Sequence, residues 1–167
     1  GLPVHKFIAA VNSNDIFPHF LQTGEFKPKT SVQTISNAMD VGNPSNFARI
    51  YSLFGGCADS IKDVIYSRSY TDQQTQNAIR EVNEKSGYLI DPHGAVGYLA
   101  LNDYLQDNPG SYSSIVLETA HPAKFKDIVE KSSGTAVAVP KNLEQCLNKI
   151  KRSTVLPNEY DALKSVL

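Results

Sequence analysis

Val4–Val11 reads VHKFIAAV, a short run rich in Val, Ile and Phe that closes on Asn12-Ser13-Asn14-Asp15. An apolar run bounded by polar turn formers predicts a buried strand and a turn. The segments that follow set the class. Ile16–Gln22 fits a short helix, capped by Asn14 or Asp15 and stopped at Thr23-Gly24. Ser31–Ser36 (SVQTIS) alternates and is β-branched, which predicts a second short strand. A helix is expected from Ser45, with Phe47, Ile50, Tyr51 and Phe54 on one face and Gly55-Gly56 at its end. Ala58–Tyr66 predicts another helix, and Ser69–Thr71 a strand end. Thr71-Asp72 cap a helix over Gln73–Lys85, with Gly87 just beyond it. The pattern AVGYLALNDYL over Ala95–Leu105 predicts an apolar helix, Ser114–Leu117 (SIVL) a further buried strand, and Ala123–Ser132 a helix. Leu143–Lys151 and Asn158–Val166 are two closing amphipathic helices. Strands separated by helices imply an α/β fold, with a largely parallel sheet and flanking helices. Residues 1–140 form the α/β portion and residues 141–167 a C-terminal helical tail.

The 167 residues are 41% hydrophobic and 20% charged, with a formal net charge of -1. That length suits one domain with a real core. Near neutrality gives no general attraction to nucleic acid or to an anionic membrane. No apolar run approaches the roughly 20 residues that span a bilayer. Neither nucleic acid nor membrane is therefore expected as a partner. Cys57 and Cys146 are too few and too far apart for a disulfide scaffold or a Cys-rich zinc site, and so few cysteines fit a reduced, cytoplasmic compartment. The opening Gly1-Leu2-Pro3-Val4 has no basic stretch followed by a small-residue cleavage site, so no secretory signal is expected. A chain that opens on a core-type strand reads as a piece of something longer. GxGxxG, GxxxxGK[ST], GxSxG and HExxH are all missing from the sequence, which leaves nucleotide, serine-hydrolase and metal readings without support.

In open α/β sheets, ligands lie beyond the carboxyl ends of strands. Three polar loops suit such positions: Ser36–Asn46, Asp91–Gly97 and Glu118–Lys126. Each holds hydroxyl, amide or imidazole groups, although ordinary strand-to-helix turns look the same. His93 and His121 stand at helix starts, where backbone N–H groups can receive an anion. His5 and His19 read as packing or surface residues. Glu144, Lys149 and Lys151 on one closing helix, and Glu159, Asp161 and Lys164 on the other, read as solvated faces.

These loops also carry a resemblance. Ser36–Phe47, SNAMDVGNPSNF, strongly resembles a stretch of the threonine synthases. Phe7-Ile8-Ala9-Ala10 followed by Asn12 and Asn14-Asp15 resembles their FIAATNxND segment. Asp91–Tyr98 resembles DPHTAVGY, with Gly94 where Thr is common, and Thr119–Phe125 matches TAHPAKF. From about Lys141 the likeness is much less diagnostic. The resemblance implies a fold type II enzyme dependent on pyridoxal 5'-phosphate (PLP), which converts O-phosphohomoserine and water into threonine and phosphate. In that family a large α/β domain and a smaller one enclose the cofactor. The Schiff-base lysine and the loop that cradles the cofactor phosphate lie upstream of the segment like Gly1–Val4. The 167 residues thus resemble the C-terminal part, with no catalytic lysine of their own, and are expected to be inactive and without retained PLP in isolation.

The same resemblance suggests roles. Thr119 occupies the motif position of the ring-nitrogen partner, where a hydroxyl gives a milder electron sink than a carboxylate. His121, two residues on, and His93 are further cofactor-binding candidates. Ser36, Asn37 and Asp40 are candidates for the substrate side, though a polar loop that satisfies its own backbone has the same composition. Lys124 and Lys126 are set aside as Schiff-base residues, since lysines in a first helical turn are usually solvated. Two other readings stand beside this one. The first is a non-catalytic α/β ligand-binding or interaction module that keeps these loops. The second is another fold type II lyase, such as a threonine/serine dehydratase, against which the SNAMDVGNPSN stretch speaks.

Overall fold

The structure is a computed structural model that describes residues 3–147 and 149–167. They fall into two compact units, Gly1–Val137 and Ala138–Leu167. In the first, β1 (Phe7–Val11) pairs in parallel with β2 (Ile65–Ser69), in a register that sets Phe7 opposite Ile65 and Val11 opposite Ser69. Parallel neighbours need a crossover. Here it carries α1 (Ile16–Thr23), a 3-10 turn at Asn37–Met39, α2 (Phe47–Leu53) and α3 (Ala58–Val64). After β2 come α4 (Asp72–Ser86), α5 (Pro92–Asp107), a 3-10 turn at Pro122–Phe125 and α6 (Lys126–Ser133). The second unit holds α7 (Lys141–Leu147) and α8 (Tyr160–Lys164). No helix among the described residues is long and apolar enough to cross a membrane.

Three apolar clusters hold the first unit. Phe20, Leu21 and Ile61 join α1 to α3, with Phe26 stacked on Phe47 at 3.9 Å beside them. Val96 and Ala100, one turn apart on α5, pack with Tyr70 against Ile8 and Ala10 of β1 and against Met39. Ala95 and Ile90 meet Ala78, Ile79 and Val82 of α4, and Val129 of α6 completes that cluster. Helix α5 is apolar on two sides because it is wedged between the sheet and α4. Its N-terminus is thereby fixed close to the loop that carries Met39.

Several expectations need correction. Ser31–Ser36 forms no strand: side chains take its amides instead. Val32 N–H donates to Asn14, Thr34 N–H to Asp40 and Ile35 N–H to Asp72. The helix expected over Ala58–Tyr66 stops at Val64, because Ile65 and Tyr66 pair with β1, and β2 begins earlier than the expected strand end. Asp15 stands at the start of α1 but offers no side-chain cap, its carboxylate being held by Lys29 at 3.0 Å. Helix α5 starts at Pro92 rather than Ala95, with Asp91 as its cap. The helix expected over Ala123–Ser132 begins as the 3-10 turn and becomes α-helical only at Lys126. Helices α7 and α8 are shorter than Leu143–Lys151 and Asn158–Val166, and residue 148 of the former lies outside the described residues.

Ser114–Leu117 is the largest departure. The segment pairs with no strand among the described residues, and Ile115 and Leu117 are 86% and 79% exposed. Its other face rests on α5. A side chain added at Gly97 would touch Val116 at 3.2 Å. Apolar, β-branched residues alone predict a strand, but a strand also needs a neighbour for its backbone.

Candidate functional site

The N-terminus of α5 organises the site. Asp91 Oδ1 accepts the His93 backbone N–H at 2.8 Å and also lies 2.7 Å from His93 Nδ1. On the other side of the ring, His93 Nε2 accepts the Ala38 N–H at 3.2 Å. A nitrogen that accepts carries no proton, so the imidazole is neutral with its proton on Nδ1. His93 thereby ties α5 to the start of the loop Ser36–Asn46. The Phe125 ring leans on it with centroids 4.9 Å apart.

The loop itself is held by an amide–carboxylate network beyond the carboxyl end of β1. Asn12 Nδ2 donates to Asp40 Oδ1 at 2.8 Å and to Thr34 Oγ1 at 2.7 Å, and it lies 3.3 Å from Ser36 Oγ. Asp40 Oδ1 also accepts from Thr34 Oγ1 at 2.7 Å and Asn14 Nδ2 at 3.3 Å, and its Oδ2 accepts the Thr34 N–H at 3.0 Å. Asn14 bridges onward through the Val32 carbonyl and N–H. With both oxygens engaged, Asp40 serves to fix the loop. Ser36 is buried in the same network.

Asn37, Ala38 and His93 come together with Thr119, Ala120, Lys124 and Phe125 around a crevice of about 300 Å³. Three candidates from loops far apart in sequence, Asn37, His93 and Thr119, therefore share one wall. Ser36 and Asp40 lie behind that wall. His121 is outside it, its Nδ1 accepting the Ala123 N–H at 3.1 Å. Lys124 and Phe125 line the crevice; the sequence reading placed their loop, Glu118–Lys126, among the ligand positions but gave neither residue a binding role. Their signal was their position in the same TAHPAKF run as Thr119. Asn12 and Asn14, which hold the loop, were legible only as turn residues. A second recess of about 290 Å³, lined by Lys6, Lys62, Tyr66 and Tyr104 among others, holds none of the candidates.

The lining suits a flat heterocyclic anion such as PLP. It offers an aromatic ring at Phe125, a cation at Lys124 and a neutral hydroxyl at Thr119. That hydroxyl makes no hydrogen bond among the described residues, and the carboxylates of the loops are turned away into internal bonds. The volume sits at the lower end of ligand pockets.

Residues 94–167 match the family model described as threonine synthase, C-terminal. Threonine synthase of Escherichia coli K12 is 43% identical over the whole chain, which covers 38% of that relative. Threonine synthase of Haemophilus influenzae is 38% identical, with the same coverage. A crystal structure of the Escherichia coli threonine synthase superposes on 99% of the chain with a TM-score of 0.89 at 43% identity, and 38% of that structure is covered. A PLP-bound threonine synthase from Brucella melitensis superposes on 99% of the chain with a TM-score of 0.82 at 29% identity, and 40% of it is covered. The chain thus spans about 38% of the length of these curated relatives.

Proposed function

We propose that the chain is the C-terminal part of a threonine synthase, the family it resembles over its whole length at 43% identity, and that its crevice is the ring-nitrogen side of a PLP site. The intact protein then converts O-phosphohomoserine and water into threonine and phosphate. The observation that carries this reading is the gathering of Asn37, His93 and Thr119 around one crevice.

PLP, when bound, supplies an electron-withdrawing ring that stabilises negative charge developing on a substrate carbon. The residues of this chain bind and orient. Thr119 donates its hydroxyl to the ring nitrogen and leaves that nitrogen unprotonated, since a threonine has no acidic proton to give. Phe125 covers the ring, and Lys124 faces anionic groups at the mouth. Asn37 offers its amide to the polar end of the substrate, while Ser36 and Asp40 serve the substrate side by fixing the loop that presents Asn37. His93 carries no proton on Nε2, so it holds the Ala38 N–H and ties the loop that carries Asn37 to α5. His121, outside the crevice lining, caps the 3-10 turn that carries Lys124 and Phe125 by accepting the Ala123 N–H. In this reading residues 1–140 are part of the cofactor domain and residues 141–167 a helical tail. The lysine that anchors PLP comes from sequence beyond these residues.

The test is an assay of the intact protein loaded with PLP. Release of phosphate from O-phosphohomoserine, with threonine formed, supports the proposal. Keto-acid formation from threonine or serine instead assigns a dehydratase, and no turnover of either substrate assigns a binding module. Thr119→Val is expected to lower kcat roughly 10- to 100-fold, the range of a lost hydrogen bond to a polarised group, and Thr119→Ser to restore it. For residues 1–167 alone, borohydride reduction in the presence of PLP is expected to leave no adduct. A stable adduct at Lys124 or Lys126 would contradict the assignment of the anchoring lysine.

A further inference from the structure

Glu118 has no part in the crevice wall, yet its placement is specific. The extended segment before it turns alternate residues onto α5, Val116 against Gly97 and the Glu118 carboxyl against Gly94. A Cβ at Gly94 would overlap that carboxyl, whose carbon would lie only 2.6 Å away. Gly94 has no positive φ, so the backbone does not require a glycine there; a side chain at this position would instead push the Glu118 carboxyl aside. The residue is exposed as a whole, but its carboxyl rests on Gly94, in the first turn of the helix that Asp91 caps. Asp91 is fully buried, its Oδ1 holds both His93 N–H groups, and its Oδ2 has no partner among the described residues.

We propose that Glu118 is a positioning residue: its protonated carboxyl donates to Asp91 Oδ2, which keeps Asp91 as the acceptor of His93 Nδ1–H and His93 Nε2 as the acceptor of Ala38 N–H. This deepens the crevice reading and rests on it only for the importance of Ala38 and Asn37. Two adjoining carboxyls cannot both be charged without repulsion. Burial, then the hydrogen bond and charge of Asp91, push Glu118 up to about 8. Against the upward pull of burial, the Glu118 hydrogen bond and the His93 N–H groups hold Asp91 below the usual carboxylate range. The other group facing the pair is the Tyr88 phenol, itself pushed up by burial and then by Glu118 and Asp91. The pair therefore carries one proton at neutral pH. Above about 8 that proton leaves, the carboxylates repel, and the His93–Ala38 tie loosens.

The test follows the His93 ring nitrogens by NMR in the intact, ¹⁵N-histidine-labelled protein from roughly pH 6 to roughly pH 9. The expected result is a His93 shift with a midpoint near 8. Glu118→Gln, which keeps a donor that cannot ionise, holds the low-pH signature throughout. Glu118→Ala and Gly94→Ala lose it even at the acidic end. An unchanged midpoint in Glu118→Gln, or a wild-type His93 that does not respond to pH, overturns the proposal. Circular dichroism checks that each variant is folded. Turnover is not read, so a negative result leaves the substrate and cofactor assignment standing.

Discussion

Asp40 accepts hydrogen bonds on both oxygens, from Asn12, Asn14 and Thr34, and makes no ion pair among the described residues. Asp40→Ala strands the amide of Asn12 and the backbone N–H of Thr34, and is expected to cost about 2–4 kcal/mol in urea unfolding. A loss under about 1 kcal/mol would mean that water satisfies these groups and that the loop is not braced by this network. The Glu118 carboxyl makes a separate statement about stability. Its value in the folded chain lies above the ordinary 4.5, at about 8. A group raised on folding stabilises fully below its unfolded value and contributes nothing once pH passes the folded one. Wild type is therefore expected to lose stability relative to Glu118→Gln between about 4.5 and about 8. Denaturant midpoints measured across that window check the sign, and a gain instead of a loss would contradict the shared proton.

Among helix ends, the capping box of α4 and the glycine stops of α1 and α4 were legible, whereas the starts of α5 and α6 were not. Thr71 Oγ1 accepts the Gln74 N–H, and Gln74 Oε1 accepts the Thr71 N–H at 2.9 Å, the reciprocal box that the sequence shows as Thr71 with Gln three residues on. Thr71→Ala is expected to destabilise α4 by about 1 kcal/mol in chemical denaturation. No change would mean that α4 is held by tertiary packing alone. Gly24 and Gly87, with φ of 75° and 69°, close α1 and α4 where chain termination was expected, because a left-handed residue is a local demand that glycine meets. Strands were read poorly for the opposite reason. Ser31–Ser36 and Ser114–Leu117 have strand composition, but a strand exists only with a partner. Asn14, Asp40 and Asp72 took the amides of the first, and α5 took one face of the second. Ile65-Tyr66 was read as helix because five residues of β2 are too short to show a period against the helix before them. The same limit applies to the site. Its three loops were visible as polar breaks, whereas Lys124 and Phe125 depend on a 3-10 turn that no pattern announces, and the pairing of Glu118 with Gly94 depends on how two separate segments meet.

At the scale of the whole molecule, the three apolar clusters explain why loops so distant in sequence converge. Helix α5 is pinned to β1 through Val96 and Ala100 and to α4 through Ala95, so its N-terminus, with Asp91 and His93, can only sit beside the loop anchored by Met39. The segment that ends in Thr119 lies along that same helix. The crevice is thus a consequence of packing, and its chemistry follows from which side chains the packing leaves pointing into it. The most direct check is a crystal structure of the intact protein with PLP bound. The account predicts the pyridine nitrogen within about 3 Å of Thr119 Oγ1, with Phe125 beside the ring and the His93–Ala38 hydrogen bond in place. A ring bound elsewhere, or a ring nitrogen facing a carboxylate while Thr119 points to solvent, would contradict it.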